Sequence, residues 1–168
     1  MTVKEKWAEL FATVGYVGYF KPAPGTWGSL AALPLAWMMY MIGGPILFLI
    51  CIPATYIKGY YATKWMTDGK DNHDPSEVVV DEVVGQWIAL APVILGAWHA
   101  GVSITALWPG WIAAFVLFRL FDITKPGPVG WADRKDNATG VMLDDVIAGV
   151  MAAIGVIILA GLAHGVLR

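Results

Sequence analysis

The stretch Leu30–Ile57, LAALPLAWMMYMIGGPILFLICIPATYI, decides how the rest of the chain is read. Its 28 residues are apolar almost throughout, and as one helix they would run about 42 Å at 1.5 Å per residue, well beyond a bilayer core of about 30 Å. Gly43, Gly44 and Pro45 interrupt it near the middle, and that combination marks a turn. The segment therefore reads as a helical hairpin, with Leu30 to Ile42 leading out and Ile46 to about Tyr60 coming back. The first arm is the short one, about 20 Å.

Working outward, three further apolar runs are long enough for single spans: Val83 to Trp98, Ile104 to Phe121 and Val146 to Leu167. A kinked single helix at Leu30–Ile57 would split the lysines between the two sides of the membrane. The hairpin instead puts ten of the 11 Lys and Arg on one face, all but Arg168, and the positive-inside rule makes that face cytoplasmic. All 13 Asp and Glu fall on the same side. The outer turns, GGP at Gly43–Pro45 and HAGVS at His99–Ser103, carry no Asp, Glu, Lys or Arg.

Composition agrees with a membrane setting. The 168 residues are 58% hydrophobic and only 14% charged, with nine tryptophans and a mean hydropathy of +0.63, where an average soluble domain is about 25% charged. The expected fold is all-α: a single 168-residue domain, polytopic and helical, with an interfacial N-terminal helix, the hairpin, three further spans and an acidic site at the cytoplasmic face. The N-terminal segment shows no signal-peptide pattern. Trp7, Leu10, Phe11 and Val14 form its apolar stripe. The net charge of −2 argues against nucleic acid as a partner, and no protein partner is expected. The single cysteine, Cys51, cannot form an intramolecular disulfide and reads as core filler. Channels and transporters carry ionisable groups near mid-membrane, and these spans have almost none. The polar segments Thr67–Glu77 and Thr124–Gly140 read as loops.

The chemistry-bearing residues lie where spans meet the cytoplasmic surface. HDPSEVVVDEVVGQW, His73 to Trp87, puts Asp74 in a loop and Asp81 and Glu82 in the first turn of a helix beginning near Val83. FRLFDITKPGP, Phe118 to Pro128, sets Arg119 and Asp122 three residues apart on one helix face, with Lys125 beyond them and Pro126 ending the helix. Asp144 and Asp145 precede the last span. Gly85 follows Asp81 by four residues and Gly149 follows Asp145 by four, and small residues let helices approach closely. Carboxylates so converged repel one another unless a cation neutralises them. An all-oxygen donor set suits Mg²⁺ first, with Ca²⁺ or Mn²⁺ as alternatives. Arg119, Lys125, Arg134 and Lys135 on the same face add a surface for phosphate, so the set points to phosphoryl chemistry.

One further segment belongs to this face. KPAPGTWGSL, Lys21 to Leu30, opens the hairpin with two prolines, two glycines, a threonine and a serine. It can offer backbone N–H groups to an anion at a helix N-terminus, with Gly25 and Gly28 allowing close approach and Thr26 donating a hydrogen bond. Thr26 and Ser29 also suit a purely capping role.

Four ordered motifs, APGTWGSLAALP, HDPSEVVVDEVVGQW, FRLFDITKPGPVGWADR and GVMLDDVIAGV, resemble those of the phosphatidylglycerophosphatase A family, from about Gly15 to His164. The resemblance implies a Mg²⁺-dependent bacterial lipid phosphatase of the inner membrane that converts phosphatidylglycerophosphate to phosphatidylglycerol, a step of phosphatidylglycerol and cardiolipin synthesis. Matched residues are Gly25, Thr26, Gly28, Ser29, Asp81, Glu82, Gly85, Arg119, Asp122, Lys125, Pro126, Asp133, Arg134, Gly140, Asp144 and Asp145. Some relatives carry a second histidine and a glycine where this chain has Pro75 and Ser76, which leaves His73 and Asp74 as the loop's candidate metal ligands.

The combined expectation places Asp81, Glu82, Asp122, Asp144 and Asp145 around one or two Mg²⁺ ions as catalytic and metal-binding groups. Gly25, Thr26, Gly28, Ser29, Arg119, Lys125 and Arg134 are the expected phosphate-binding groups. Direct attack by water and an aspartyl-phosphate route both remain open. No Asp-x-Asp motif of the haloacid-dehalogenase type is present. The alternative reading is a cation-binding membrane transport component without phosphatase activity.

Overall fold

In the computed structural model, described for residues 2–67, 69, 74–135 and 137–166, the chain is helical, with no strand among the described residues. The helices are α1 (Val3–Ala12), α2 (Pro24–Thr67), α3 (Val80–Ala100), α4 (Trp108–Thr124), α5 (Pro128–Asp133) and α6 (Ala138–Val166). Among the described residues, four segments are long and apolar enough to cross a membrane: Pro24–Thr67, Val80–Ala100, Ile104–Thr124 and Ala138–His164.

Helix α2 breaks where the hairpin reading put its turn, and glycine is the reason. The backbone leaves helical geometry at Gly43 and Gly44, and Gly44 takes φ +64° with ψ −161°, a conformation open essentially to glycine alone. The two arms then return to the same neighbour. Gly28 packs on Val79 and Gly59 on Val80, although 31 positions of unbroken helix would separate them by about 46 Å. Trp87 of α3 joins the arms: its indole N–H donates to the Ala32 carbonyl at 2.9 Å, and its ring meets Phe48 edge-on, centroids 6.4 Å apart. The first arm starts at Pro24 rather than Leu30, so it runs 19 residues to position 42, about 28 Å.

Helix α3 is the axis of the bundle. Just over half of its apolar window, 56%, is buried, against 11%, 17% and 22% in the other three spans. The main core gathers Ala32, Ala36 and Phe48 of α2, Leu90 and Ile94 of α3, Ala114 and Phe118 of α4, and Ala148 and Ala152 of α6. Much of the remaining apolar surface faces outward, including Ile42, Ile46, Ile112, Ile154 and Ile157. Outward-facing aliphatic side chains are what lipid contact requires.

Several sequence-based boundaries shift. The expected loop Thr124–Gly140 holds α5 and the start of α6, so Asp144 and Asp145 lie inside α6 instead of at its entrance. Gly130 and Gly140 make this compaction possible, since a Cβ at either would press on the carbonyl of Lys125 or Ala132. In α1 the inward face is made by Ala8 and Ala12. Trp7 and Leu10, expected on one apolar stripe with Phe11 and Val14, stay exposed, free for an interfacial role. The Ala12 carbonyl accepts from Val79 N–H at 2.9 Å, which docks α1 at the head of α3.

Candidate phosphate and metal site

A close contact between two glycines brings the acid pairs together. A Cβ on Gly149 would run into the Gly85 carbonyl, and one on Gly85 would lie 2.6 Å from the Asp145 carbonyl. With no side chain on either side, α3 and α6 touch backbone to backbone at this level. Asp81 and Glu82 sit one turn above Gly85, and Asp145 one turn above Gly149. Helix α4 closes the third side through Phe118, whose ring edges Gly85, and presents Asp122 one turn further on.

The result is a cavity of about 280 Å³ walled by Asp81, Glu82, Arg119, Asp122, Lys125, Asp144 and Asp145, with Asp74, Ser76, Pro24 and Gly25 at its edge. Carboxylate oxygens converge in two groups, Asp81 with Glu82 and Asp145, and Asp122 with Asp144 and Asp145; within each, one oxygen per residue lies within 4.8 Å of the others. Asp145 belongs to both. Asp81, Asp144 and Asp145 are 7, 5 and 2% exposed, so water does little to separate these charges.

Arg119 and Lys125 are the cations in the described wall. Arg119 Nη1 lies 2.7 Å from Asp122 Oδ2 and 3.8 Å from Glu82 Oε1, and it donates to Ser29 Oγ at 3.4 Å. Lys125, in left-handed geometry past the end of α4, donates to Asp144 Oδ2 at 3.0 Å and to Asp133 of α5. Burial alone would lower the Lys125 pKa, but the hydrogen bonds to Asp133 and Asp144 outweigh it and hold the ammonium above the usual lysine value. It stays charged.

The residues fit a hard cation on a structural ground. Asp145 Oδ2 is buried with no hydrogen-bond partner among the described residues, although it is central to both acid groups. An unpartnered carboxylate oxygen at this depth is costly, and an oxygen-rich set of this kind is what Mg²⁺ takes.

Not every expected residue reaches the cavity. Gly25 does: a Cβ there would collide with the Glu82 carboxylate and lie 3.2 Å from Arg119 Nη1. Thr26, Gly28, Ser29 and Arg134 are not in the wall. Helix α2 begins at Pro24, so Ser29 is inside the helix rather than at its cap, fully buried, with its hydroxyl donating to the Gly25 carbonyl at 2.9 Å. Gly28 is a packing glycine against Val79. Arg134 is exposed, and Asp74 is exposed at the rim. His73 lies outside the described residues. Two residues carried no sequence-based role: Asp133, matched by the family motif and here the partner of Lys125, and Gln86, outside the wall but a fully buried amide one turn below Glu82. A glutamine inside an otherwise apolar span was the available signal for the latter.

The profile of one family, Phosphatidylglycerophosphatase A, matches residues 10–160. This chain belongs to that family. Among its relatives, the phosphatidylglycerophosphatase A of Haemophilus influenzae is 40% identical over 139 residues, 82% of this chain and 78% of that one. The Escherichia coli protein of the same name is 34% identical over 143 residues, 83% and 76% of the two chains. A Bacteroides thetaiotaomicron protein provisionally named a phosphatidylinositol-3-phosphatase is 38% identical over 146 residues, 83% of this chain and 86% of that one. No solved structure matches the chain. Family membership makes the chain an enzyme, and the family resemblance carried by the four motifs stands.

Proposed function

We propose that this enzyme hydrolyses phosphatidylglycerophosphate to phosphatidylglycerol and inorganic phosphate, with Mg²⁺, at the cytoplasmic face of a bacterial inner membrane, as a step of phosphatidylglycerol and cardiolipin synthesis. The observation that carries the reading is the meeting of five carboxylates with Arg119 and Lys125 in one cavity of a chain with two relatives named phosphatidylglycerophosphatase A. At about 280 Å³ the cavity suits a phosphorylated headgroup, below the range of about 300–1,000 Å³ usual for whole drug-sized ligands. The acyl chains stay in the bilayer beside the helices.

Asp81, Glu82, Asp122, Asp144 and Asp145 would hold Mg²⁺, which, when bound, supplies charge neutralisation of the phosphate and a more acidic water. Arg119 and Lys125 bind the non-bridging phosphate oxygens and offset the charge that grows on them. Glu82 and Asp122 orient the Arg119 guanidinium, and Asp133 and Asp144 orient the Lys125 ammonium. On the direct-attack route a carboxylate of the cluster takes the proton of the attacking water as the phosphorus–oxygen bond to glycerol breaks, and a proton returns to the departing glycerol oxygen. Asp74 at the rim and His73 in the same loop are the further candidate ligands.

The test is phosphate release by the purified protein in detergent with Mg²⁺, against EDTA and Asp81→Asn controls. Release that needs both Mg²⁺ and Asp81 supports the reading, and its absence from a folded, Mg²⁺-binding protein removes it in favour of a cation-binding membrane component. The Bacteroides relative gives reason for a second arm with phosphatidylinositol 3-phosphate. Faster release from that lipid would keep the chemistry and change the substrate.

A further inference from the structure

Glu82 and Gln86 of α3 and Arg119 of α4 carry four buried polar atoms with no hydrogen-bond partner among the described residues: Glu82 Oε2, Arg119 Nε, and both Nε2 and Oε1 of Gln86. They belong together. Gln86 follows Glu82 by four residues, so the two share one face of α3, and Glu82 is in turn paired with Arg119. Leu90 and Val93 lie on the same face of α3, and both are apolar and buried.

The unmet capacities are complementary. Arg119 Nε–H needs an acceptor and Glu82 Oε2 needs a donor, while a carboxamide supplies one acceptor and two donor hydrogens. An amide with nothing to bond is expensive in a protein interior and more so at membrane depth. Leucine at position 86 would carry no such cost. A water among these groups would have the two to four polar partners that an internal water needs.

We propose that Gln86 is a positioning residue for the Glu82–Arg119 pair, joined to Glu82 Oε2 and Arg119 Nε through a buried water. The carboxamide fixes the guanidinium from below, so that Nη1 faces the cavity when phosphate charge builds up. This role rests on the reading of Arg119 as a phosphate-binding group.

The experiment uses the full chain in detergent with Mg²⁺, measuring kcat and KM for phosphatidylglycerophosphate together with thermal melting. Gln86→Met keeps the side-chain length and removes the hydrogen bonds; Gln86→Asn keeps the carboxamide. The expected result is a Met variant that still folds, melting slightly below wild type because Glu82 Oε2 and Arg119 Nε lose a partner, with kcat down about 10-fold or more, the usual range for a supporting residue of a metal site, KM changed far less, and partial recovery of kcat in the Asn variant. In an Arg119→Lys background, which lacks the Nε group, Gln86→Met should cost less than about twofold more.

Wild-type kcat in Gln86→Met overturns the proposal. So does a Met variant that fails to fold or, with the Asn variant, loses stability and activity in parallel, because the amide would then only hold the bundle. An inactive wild type would instead defeat the phosphatase reading. The Gln86–Arg119 link would still be judged by melting of the same single and double variants, where additive shifts sink it and non-additive shifts sustain it.

Discussion

The paired acids of α3 and α6 and the opening turn of α2 border the same cavity, but they serve it in opposite ways. The acids point their functional atoms inward from helices locked backbone to backbone at Gly85 and Gly149. The start of α2 contributes mostly by what it lacks. Gly25 leaves room for Glu82 and Arg119, Gly28 leaves room for Val79, and Ser29 turns its hydroxyl back into its own helix while meeting Arg119 from behind. One region supplies charge, and the other supplies clearance and support. Motifs with the same look of a functional signature can therefore differ in whether their side chains or their missing side chains matter.

The largest test of the contrast is Asp145→Asn. Asp145 is shared by both acid groups, so replacing it should remove more than about a hundredfold of the activity by weakening Mg²⁺ binding. The melting temperature without Mg²⁺ should hold or rise, because like charges are removed from a buried cluster. Phosphate release and melting with and without Mg²⁺ read both effects. A variant with full activity would mean that the acids are structural and would erase the distinction.

Next is Gly149→Val, which asks whether clearance between α3 and α6 matters as much as charge. Its side chain would force the Gly85 carbonyl away, and overpacking of this kind costs about 1–3 kcal/mol or more. The expected outcome is lower melting together with loss of activity, since Asp145 moves relative to Asp81. Retained activity at reduced stability would show that the two pairs need not be held so tightly.

Gly25→Ala should act in the reverse sense. The added methyl meets the ends of the Glu82 and Arg119 side chains rather than backbone, and those ends can shift. The fold should survive, with melting within a few degrees of wild type, while kcat/KM drops about tenfold as the pair is displaced. A parallel fall in both would move Gly25 into the packing class with Gly28.

How much of this was legible differs by region for physical reasons. The acid cluster could be read because helical periodicity converts a four-residue spacing into a shared face, so Asp81 with Gly85 and Asp145 with Gly149 already implied a close contact between helices. The hairpin could be read from length and from the residues at its turn. The roles of Gly25, Gly28 and Ser29 could not, since a glycine that approaches an anion and a glycine that admits a neighbouring side chain are the same residue in sequence. The link from Lys125 to Asp133 depends on the turn between α4 and α5, where no period applies. The early start of α6 was hidden because Gly140 reads as a loop residue, although Asn137 caps the helix by accepting from the Thr139 and Gly140 N–H groups.

The smallest and most discriminating comparison is Thr26→Val against Ser29→Ala. In sequence both hydroxyls have equal claim to a substrate phosphate, but neither residue is in the cavity wall, and Ser29 meets a group that is, Arg119 Nη1 at 3.4 Å. That contact is long for a hydrogen bond, so its loss should lower kcat/KM only about two- to fivefold, roughly 0.4–1 kcal/mol, and Arg119 should keep its shorter contact with Asp122. Thr26→Val should leave both activity and melting near wild type. If Thr26→Val instead proves the more damaging, with stability unchanged, the hydroxyl reaches the substrate in the working enzyme. The opening turn of α2 would then join the acids as a source of functional atoms rather than of clearance.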